Sequence, residues 1–234
     1  MCGIIGFRRD SKAPVAAGDF LKHLLLQSGI RGLHATGFTW LGSPEDEQLK
    51  TIKEPVSATR FVAEWPEIFE ELPEVGLFHC RYSTSGDYTD SNNNQPLQNE
   101  QLAIVHNGIV SQAEPAVYGL QYGVTKLETA NDSEIILAKL TMNYHNHLDR
   151  ALAATVTELC QAKARPVFAV VAMDRNGELG AFRDDVRPLY YFHVPLLGLR
   201  GYCSTRDIFV RACHNVGLKA TYIVELKPYQ VEMC

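Results

Sequence analysis

The second residue of the chain, Cys2, can combine two groups that do covalent chemistry. Gly3 follows it, and a small second residue permits removal of Met1, which would leave Cys2 at the N-terminus. Its free α-amine, with an unperturbed pKa of about 7.7–8.0, could then accept the proton of a thiol whose own pKa is about 8.5. One residue would thus supply a nucleophile and a general base. The alternative is that Cys2 is a small buried residue at the tip of a strand.

Polar and charged residues that could assist Cys2 occur in short strings along the chain. The strings are RGLHATG (31–37), FHCRYSTSGD (78–87), VHNGI (105–109), NDSEII (131–136) and RDDVRPLYY (183–191), with Gln95-Pro96 between the second and the third. Together with MCGIIGF at the start, they resemble the class II glutamine amidotransferases, N-terminal-nucleophile hydrolases whose cysteine releases ammonia from glutamine. RYST-G and Gln95-Pro96 are most similar to the glutaminase domain of amidophosphoribosyltransferases. The resemblance extends from Cys2 to about Phe209.

The resemblance implies catalytic roles for four residues. Cys2 is the nucleophile and its own amine the general base, while Arg31 positions the backbone of the nucleophile. The side-chain amide of Asn107 and the backbone N–H of Gly108 form an oxyanion hole, and each donor is worth about 3 kcal/mol in the barrier. The alternatives are a structural ion pair for Arg31 and a hairpin turn for Asn107-Gly108, since Asn-Gly is the commonest turn dipeptide.

The resemblance also implies how the substrate is bound. The planar guanidinium of Arg81 would grip the α-carboxylate, aided by Thr84 and Ser85, and Asp132 would accept from the α-ammonium. The alternatives are a surface salt bridge for Arg81 and a helix N-cap for Asp132. Residues 85–95 correspond to a mobile loop that closes over glutamine.

Of two further positions, one matches a branch of the family and the other departs from the family's usual residue. Tyr82, grouped here with the substrate-binding residues, matches the amidophosphoribosyltransferase branch. The family often has an acid where His34 stands in RGLHATG. This difference concerns how the site is supported more than its chemistry.

Composition excludes several classes of protein. The 234 residues are 46% hydrophobic and 21% charged, which is typical of a globular chain and not of a disordered or fibrous one. With 22 Lys and Arg against 27 Asp and Glu, the net charge of −5 gives no basic field for nucleic acid. No apolar run approaches the roughly 20 residues of a membrane span.

The six cysteines, at 2, 80, 160, 203, 213 and 234, form no CxxC pair, so we expect reduced thiols and a cytoplasmic protein. The five other than Cys2 have no ligand spacing and are interpreted as packing residues. We expect no metal and no cofactor.

Hydrophobic patterning predicts an α+β chain with segregated helical and strand-rich blocks. Residues 85–96 are expected to form an exposed loop, and residues 106–108 a turn after a strand at 102–105. The resemblance implies the four-layer αββα sandwich, with two mainly antiparallel sheets between helices. The helices are predicted at 16–28, 57–72 with a break at Pro66, 132–144, 148–160 and 206–215, and the strands at 3–7, 38–41, 49–53, 75–82, 102–105, 167–173, 179–183, 189–194 and 222–226.

These observations lead to one preferred function and two alternatives. We expect a single domain over residues 2–234 with no fused synthase, which hydrolyses L-glutamine and delivers ammonia to a separate acceptor synthase or transferase. The first alternative is a γ-glutamyl amide hydrolase that acts on a larger γ-glutamyl compound and needs no ammonia acceptor. The second is a silent adaptor that uses the fold for binding, although Cys2 and Asn107, which such a protein would be expected to lose, are both present.

Overall fold

Two antiparallel sheets form the centre of the molecule. The computed structural model describes residues 1–10, 14, 16–42, 48–83, 86–111, 119–162, 165–219 and 222–234. The larger sheet has seven strands in the order β11-β9-β10-β1-β4-β2-β3, and the smaller has five in the order β12-β8-β7-β6-β5. The strands are β1 (Gly3–Arg9), β2 (Ala35–Leu41), β3 (Leu49–Glu54), β4 (Val75–Arg81), β5 (Leu97–Gln98), β6 (Leu102–Ile109), β7 (Val167–Asp174), β8 (Leu179–Arg183), β9 (Tyr190–Val194), β10 (Leu199–Cys203), β11 (Tyr222–Glu225) and β12 (Glu232–Met233).

Helices cover the outer face of each sheet. Phe20 and Phe209 place their rings 5.8 Å apart in the layer between the helices and the larger sheet. Ile136 and Leu152 belong to the matching layer on the smaller sheet. The helices on the larger sheet are α1 (Ala16–Ser28), α2 (Ala58–Glu64), α3 (Glu67–Glu70) and α6 (Arg206–Asn215); those on the smaller sheet are α4 (Glu134–Asn143) and α5 (Leu148–Gln161).

The third apolar layer lies between the two sheets. Side chains of Ile4 and Leu77 from the larger sheet meet those of Val105 and Val171 from the smaller one. The sheets approach closely, because a Cβ atom on Gly6 would lie 2.5 Å from Cγ1 of Val171. The order of layers is therefore helix, sheet, sheet, helix, and the predicted αββα sandwich is confirmed.

The alternation of side chains along a strand decides which residues face the layer between the sheets. On β1, Ile5 and Phe7 pack toward the helices whereas Ile4 packs between the sheets, so Cys2 shares the inward side with Ile4. On β6, Val105 lies between the sheets, so Asn107 shares that side. Cys2 and Asn107 thus lie at one end of the interface between the sheets.

Most predicted elements are observed. Helices α1 and α6 and strand β8 have the predicted bounds, and α2 and α3 flank Pro66 as expected. Strand β10 was not predicted, because glycines at 198 and 201 interrupt its apolar pattern.

Two local predictions are wrong. Strand β6 continues to Ile109, so residues 106–108 are not a turn: Asn107 pairs with Ala169 and Gly108 with Phe168. Within the predicted exposed loop, Asn94 and Gln95 are buried, because protein groups satisfy their amides. In the part of the chain described, no helix is long and apolar enough to cross a bilayer.

Candidate active site

Three polar groups of Cys2 are held by three different segments of the chain. Its backbone nitrogen donates to Oδ1 of Asn107 at 2.9 Å. Its carbonyl accepts from Nε of Arg31 at 2.9 Å. Its thiol donates to the carbonyl of Tyr82, with Sγ and O 3.7 Å apart. The nitrogen, oxygen and sulfur of one residue are thus fixed at the end of the layer between the sheets.

Strand register explains why Arg81 lies beside Cys2. Gly3 pairs with Cys80 and Ile4 with His79 in the β1–β4 ladder, which brings Cys2 level with Arg81 at the strand ends. His79 and Arg81 share the inward side of β4 with Leu77. Both side chains are buried, and neither could have been assigned to this layer from its polarity.

Asn107, which contacts Cys2, carries an unused hydrogen-bond donor. Its side chain is 1% exposed, and its Nδ2 has no hydrogen-bond partner among the described residues. Buried amide groups without a partner are rare in folded proteins, because losing water without replacing its hydrogen bond costs about 1–3 kcal/mol. A buried N–H donor beside Cys2 is the feature that a developing oxyanion requires.

Gly108 allows strand β6 to pass close to β7. A Cβ atom at this position would lie 1.9 Å from the carbonyl oxygen of Val167 and 2.5 Å from Nε2 of His106. No side chain fits this space. The sequence signal that suggested a turn at Asn107-Gly108 instead reflects close backbone contact within the sheet.

Burial weakens the acidity of the Cys2 thiol. Desolvation by the surrounding protein raises the pKa of Cys2, and the positive charges of Arg81 and Arg31 oppose that rise. A thiol with a raised pKa needs a base to become a nucleophile near neutral pH.

Arg81 is a buried cation rather than part of a surface salt bridge. It is 3% exposed; Nη1 donates to Oδ1 of Asn94 at 2.5 Å and Nη2 to the carbonyl of Gly86 at 3.4 Å. Desolvation lowers the pKa of Arg81, while Cys2 and Asp132 oppose that change.

The alternative interpretation of Asp132, a helix N-cap, is not observed at helix α4. The helix begins at Glu134, and Oδ2 of Asp132 accepts from the backbone nitrogens of Val110 and Ser111, at 2.7 and 3.2 Å. The carboxylate therefore joins the end of β6 to the start of α4. It is buried on the same side of the molecule as the Arg81 charge that it influences.

A buried polar network connects the Gln95-Pro96 segment to the start of α4. Gln95 accepts from the backbone nitrogen of His106 at 2.6 Å and donates to the Ser133 hydroxyl at 3.0 Å. The Ser133 oxygen lies 2.8 Å from Nδ1 of His106. Nearby, Asn131 donates to the carbonyl of Asn93 at 2.8 Å. These contacts fix residues 93–95 next to the strand that carries Asn107.

The sequence model of the glutamine amidotransferase domain matches residues 79–205, just over half of the chain. The chain belongs to the glutamine amidotransferase domain family. It is 29% identical over 182 residues to glutamine–fructose-6-phosphate aminotransferase (isomerizing) of Aquifex aeolicus, covering 76% of this chain and 28% of that protein. The chain spans about a third or less of the length of the curated relatives that it matches.

Solved structures share the fold of this glutamine amidotransferase domain. Glutamine phosphoribosylpyrophosphate amidotransferase from B. subtilis matches with a TM-score of 0.66 and 19% identity, over 99% of this chain and 48% of that one. A glutamine aminotransferase class-II domain protein from Silicibacter pomeroyi matches with a TM-score of 0.59 and 13% identity, over 100% and 98% of the two chains. At these identities the two matches show that the domain shares their fold.

The residues predicted for the site of this amidotransferase domain are largely brought together. Arg31, Tyr82 and Asn107 each contact Cys2, and Tyr82, a residue that is 51% exposed, does so through its carbonyl. Arg81, Gly108 and Asp132 lie on the strands and strand ends around them. Thr84 and Ser85 lie outside the described residues.

Several buried residues of the domain were missed by sequence reasoning. His79 is 1% exposed, its Nε2 has no hydrogen-bond partner among the described residues, and burial lowers its pKa to about 3. Nε of Arg187 is likewise buried and unpartnered there; desolvation lowers the pKa of Arg31, and the charge of Arg187 lowers it further. Alternation along β4 was a usable signal for His79. Among the described residues, no group of three metal-ligating side chains is found.

Proposed function

We propose that the chain hydrolyses the side-chain amide of L-glutamine, with Cys2 as the N-terminal nucleophile after removal of Met1. The observation that carries the proposal is the contact between the Cys2 nitrogen and Asn107, whose remaining amide N–H is buried and unused. Met1 is 61% exposed, so its peptide bond is open to an aminopeptidase. Its removal would leave the Cys2 amine at the position that the peptide nitrogen now occupies.

The reaction begins with proton transfer within Cys2. The neutral α-amine takes the thiol proton, and Sγ attacks the amide carbon of glutamine. The electron pair of the carbonyl moves to oxygen, and the resulting anion accepts from Nδ2 of Asn107 and the N–H of Gly108. Collapse of this intermediate breaks the C–N bond, and the α-ammonium returns its proton to the leaving nitrogen, which departs as ammonia.

The γ-glutamyl thioester is then hydrolysed. The α-amine accepts a proton from water, the hydroxide equivalent adds to the thioester carbon, and the same oxyanion donors stabilise the second intermediate. Breakage of the C–S bond releases glutamate, and the thiolate recovers its proton from the α-ammonium. Arg31, which donates to the Cys2 carbonyl, holds the nucleophile in place through both steps.

The amino-acid head of glutamine would lie between two fixed charges. We assign the α-carboxylate to the buried guanidinium of Arg81 and the α-ammonium to Asp132. Thr84 and Ser85 are proposed to add hydroxyl or backbone contacts to the carboxylate, and Tyr82 to border it. This pair of opposite charges recognises any γ-glutamyl compound, so it does not by itself select glutamine over a larger amide.

We further propose that the chain acts as a single stand-alone domain, over residues 2–234, and passes ammonia to a separate acceptor synthase or transferase. The solved chain from Silicibacter pomeroyi supports the idea that this fold can occur without a further domain, since the match covers 98% of it. The six cysteines are all unpaired, which suits a cytoplasmic location. No cofactor takes part in the proposed chemistry.

The test is glutamate release from L-glutamine by the Met1-free chain, with Cys2→Ala as the blank. Cys2-dependent release from glutamine supports the proposal. Release from γ-glutamyl amides of larger amines, but not from glutamine, would contradict it and favour the γ-glutamyl amide hydrolase. No release from either class, with Met1 absent by mass, would favour the silent adaptor. Affinity capture on the Cys2→Ala chain then asks whether a synthase or transferase co-purifies.

A further inference from the structure

We propose that His34 is a positioning residue for Cys2, acting through a single peptide group. The inference rests on the proposed function and extends it to a residue at which the family often has an acid. His34 lies just before β2, in the segment 32–34, which runs against the end of β4. The contact is close, because a Cβ atom on Gly32 would be 2.4 Å from the carbonyl oxygen of Cys80.

Two hydrogen bonds of His34 bracket Tyr82. Its backbone nitrogen donates to the carbonyl of Arg81 at 3.0 Å, and its ring Nδ1 accepts from the backbone nitrogen of Ser83 at 2.9 Å. The peptide groups before and after Tyr82 are therefore both bound to one residue.

The second of these bonds reaches Cys2 through the peptide plane. The N–H of Ser83 and the C=O of Tyr82 belong to the same planar trans peptide, in which they point in opposite directions. His34 binds the N–H end, and the Cys2 thiol donates to the C=O end at 3.7 Å. Fixing the N–H therefore fixes the direction of the carbonyl that orients Sγ.

This geometry also fixes which ring nitrogen of His34 is the acceptor. Ser83 N–H is a donor, so Nδ1 must carry a lone pair, and the neutral ring carries its proton on Nε2. An acid at this position could accept the same bond but would add a negative charge near the thiol. A neutral acceptor orients the Tyr82 carbonyl without opposing the formation of a thiolate.

The ring of His34 makes a second, separate contribution. It lies between Tyr82 and Tyr88, with both ring centroids 5.0 Å from its own and interplanar angles of 30° and 21°. Stacked rings at this spacing stabilise one another beyond the burial of their surface. Tyr88 follows Gly86, whose carbonyl accepts from Arg81. The stack thus supports the stretch that surrounds the proposed carboxylate site.

Two substitutions separate the acceptor from the ring. His34→Phe keeps an aromatic ring for the stack and removes the acceptor; His34→Asn keeps an acceptor atom near the position of Nδ1 and removes the ring. In glutamate release by the Met1-free chain, we expect kcat to fall about tenfold in His34→Phe, with KM within about twofold. In His34→Asn we expect KM to rise about fivefold, with kcat within about twofold.

A readout that needs no substrate accompanies the kinetics. We expect the Ser83 amide to be protected from hydrogen exchange in the wild type and in His34→Asn, and to lose that protection in His34→Phe, while the amides of β4 are unchanged. Ring ¹⁵N shifts of His34 in the wild type should show an unprotonated Nδ1.

Two results would overturn the proposal. One is a Ser83 amide that exchanges equally slowly in the wild type and His34→Phe. The other is an equal loss of kcat in both variants that tracks a common fall in Tm, which would indicate a structural role only. If the Ser83 amide depends on His34 as expected but the wild type releases no glutamate, the proposed function fails while the His34 contact stands.

Discussion

The backbone nitrogen of Cys2 and the side chain of Asn107 are joined by a 2.9 Å hydrogen bond across the interface of the two sheets. Because Oδ1 of Asn107 accepts that bond, its Nδ2 faces away from the Cys2 nitrogen, and it is left without a partner among the described residues. One amide group therefore has two proposed tasks, to hold the amine that acts as base and to donate to the oxyanion.

Replacing Asn107 with aspartate separates these tasks. The aspartate side chain is the same size and keeps an acceptor for the Cys2 nitrogen, but it replaces the Nδ2 donor with a negatively charged oxygen. We expect kcat for glutamate release to fall by about 10²–10³ with little change in KM, because only the transition state carries the oxyanion. Asn146→Asp, at an exposed position, is the matched control and should leave kcat unchanged. An Asn107→Asp enzyme with wild-type kcat would remove Asn107 from the oxyanion hole.

Arg81→Lys tests how the carboxylate is recognised. Lys keeps the positive charge but cannot present two parallel N–H donors to a carboxylate. We expect KM for glutamine to rise by about 10–100-fold while kcat changes by much less. Kinetics should be compared with Arg60→Lys, which alters an exposed arginine paired with Glu64. Equal KM values for Arg81→Lys and the wild type would place the α-carboxylate elsewhere.

Ser133→Ala tests the buried network at the start of α4. The substitution removes the partner of Nε2 of Gln95 and of Nδ1 of His106, which lie 3.0 and 2.8 Å from the hydroxyl. Two buried polar groups are left unsatisfied, so we expect the free energy of unfolding to fall by about 1–3 kcal/mol. Urea denaturation measures it, with Thr157→Ala on the exposed face of α5 as the control. A change no larger than that of Thr157→Ala would mean that the network adds no stability.

Buried His79 predicts how stability depends on pH. Its pKa is lowered to about 3 in the folded chain, chiefly by desolvation and next by the charge of Arg81, from an unfolded value of 6.5. Between pH 6.5 and 3 the unfolded chain binds more protons, so the free energy of unfolding falls with falling pH, by about 1.4 kcal/mol per pH unit well below 6.5. Above pH 6.5 His79 is neutral in both states, and it does not lower the free energy of unfolding.

Denaturation series at about pH 7, 6 and 5 measure the effect of His79. His79→Gln cannot be protonated, so its stability should depend less steeply on pH than that of the wild type, even if it is less stable at neutral pH. The remaining slope includes His106, whose pKa is also lowered by burial. Parallel pH dependences for the wild type and His79→Gln would show that His79 is not a buried neutral histidine.

The sequence predicted those parts of the fold that depend on local pattern. Helix α1 was found because Phe20, Leu21, Leu24 and Leu25 repeat at helical spacing, and β1 because two β-branched residues stand between glycines. The αββα order itself came from the family resemblance, since periodicity supports only an α+β chain. Strand β10 and the last residues of β6 depend on pairing with distant strands, which local pattern does not reveal.

The sequence predicts those site residues whose side-chain type itself suggests a chemical role. Cys2 and Asn107 could be named from the sequence, but their hydrogen bond spans 105 positions and follows from the packing of one sheet on the other. The polarity of Asn94 and Gln95 predicts that they are exposed. They are buried because Arg81, Ser133 and the backbone of β6 satisfy them, which no local rule indicates.

The most direct test of the proposed role of Cys2 compares two forms of the chain that differ only in Met1. Two cleavable fusions, processed to begin at Met1 or at Cys2, are assayed for glutamate release from L-glutamine, with Cys2→Ala as the blank. We expect release by the Cys2 form and a rate equal to that of the blank for the Met1 form, because a peptide nitrogen cannot accept the thiol proton. Equal release by both forms would contradict the α-amine as general base, and release by Cys2→Ala would contradict Cys2 as the nucleophile.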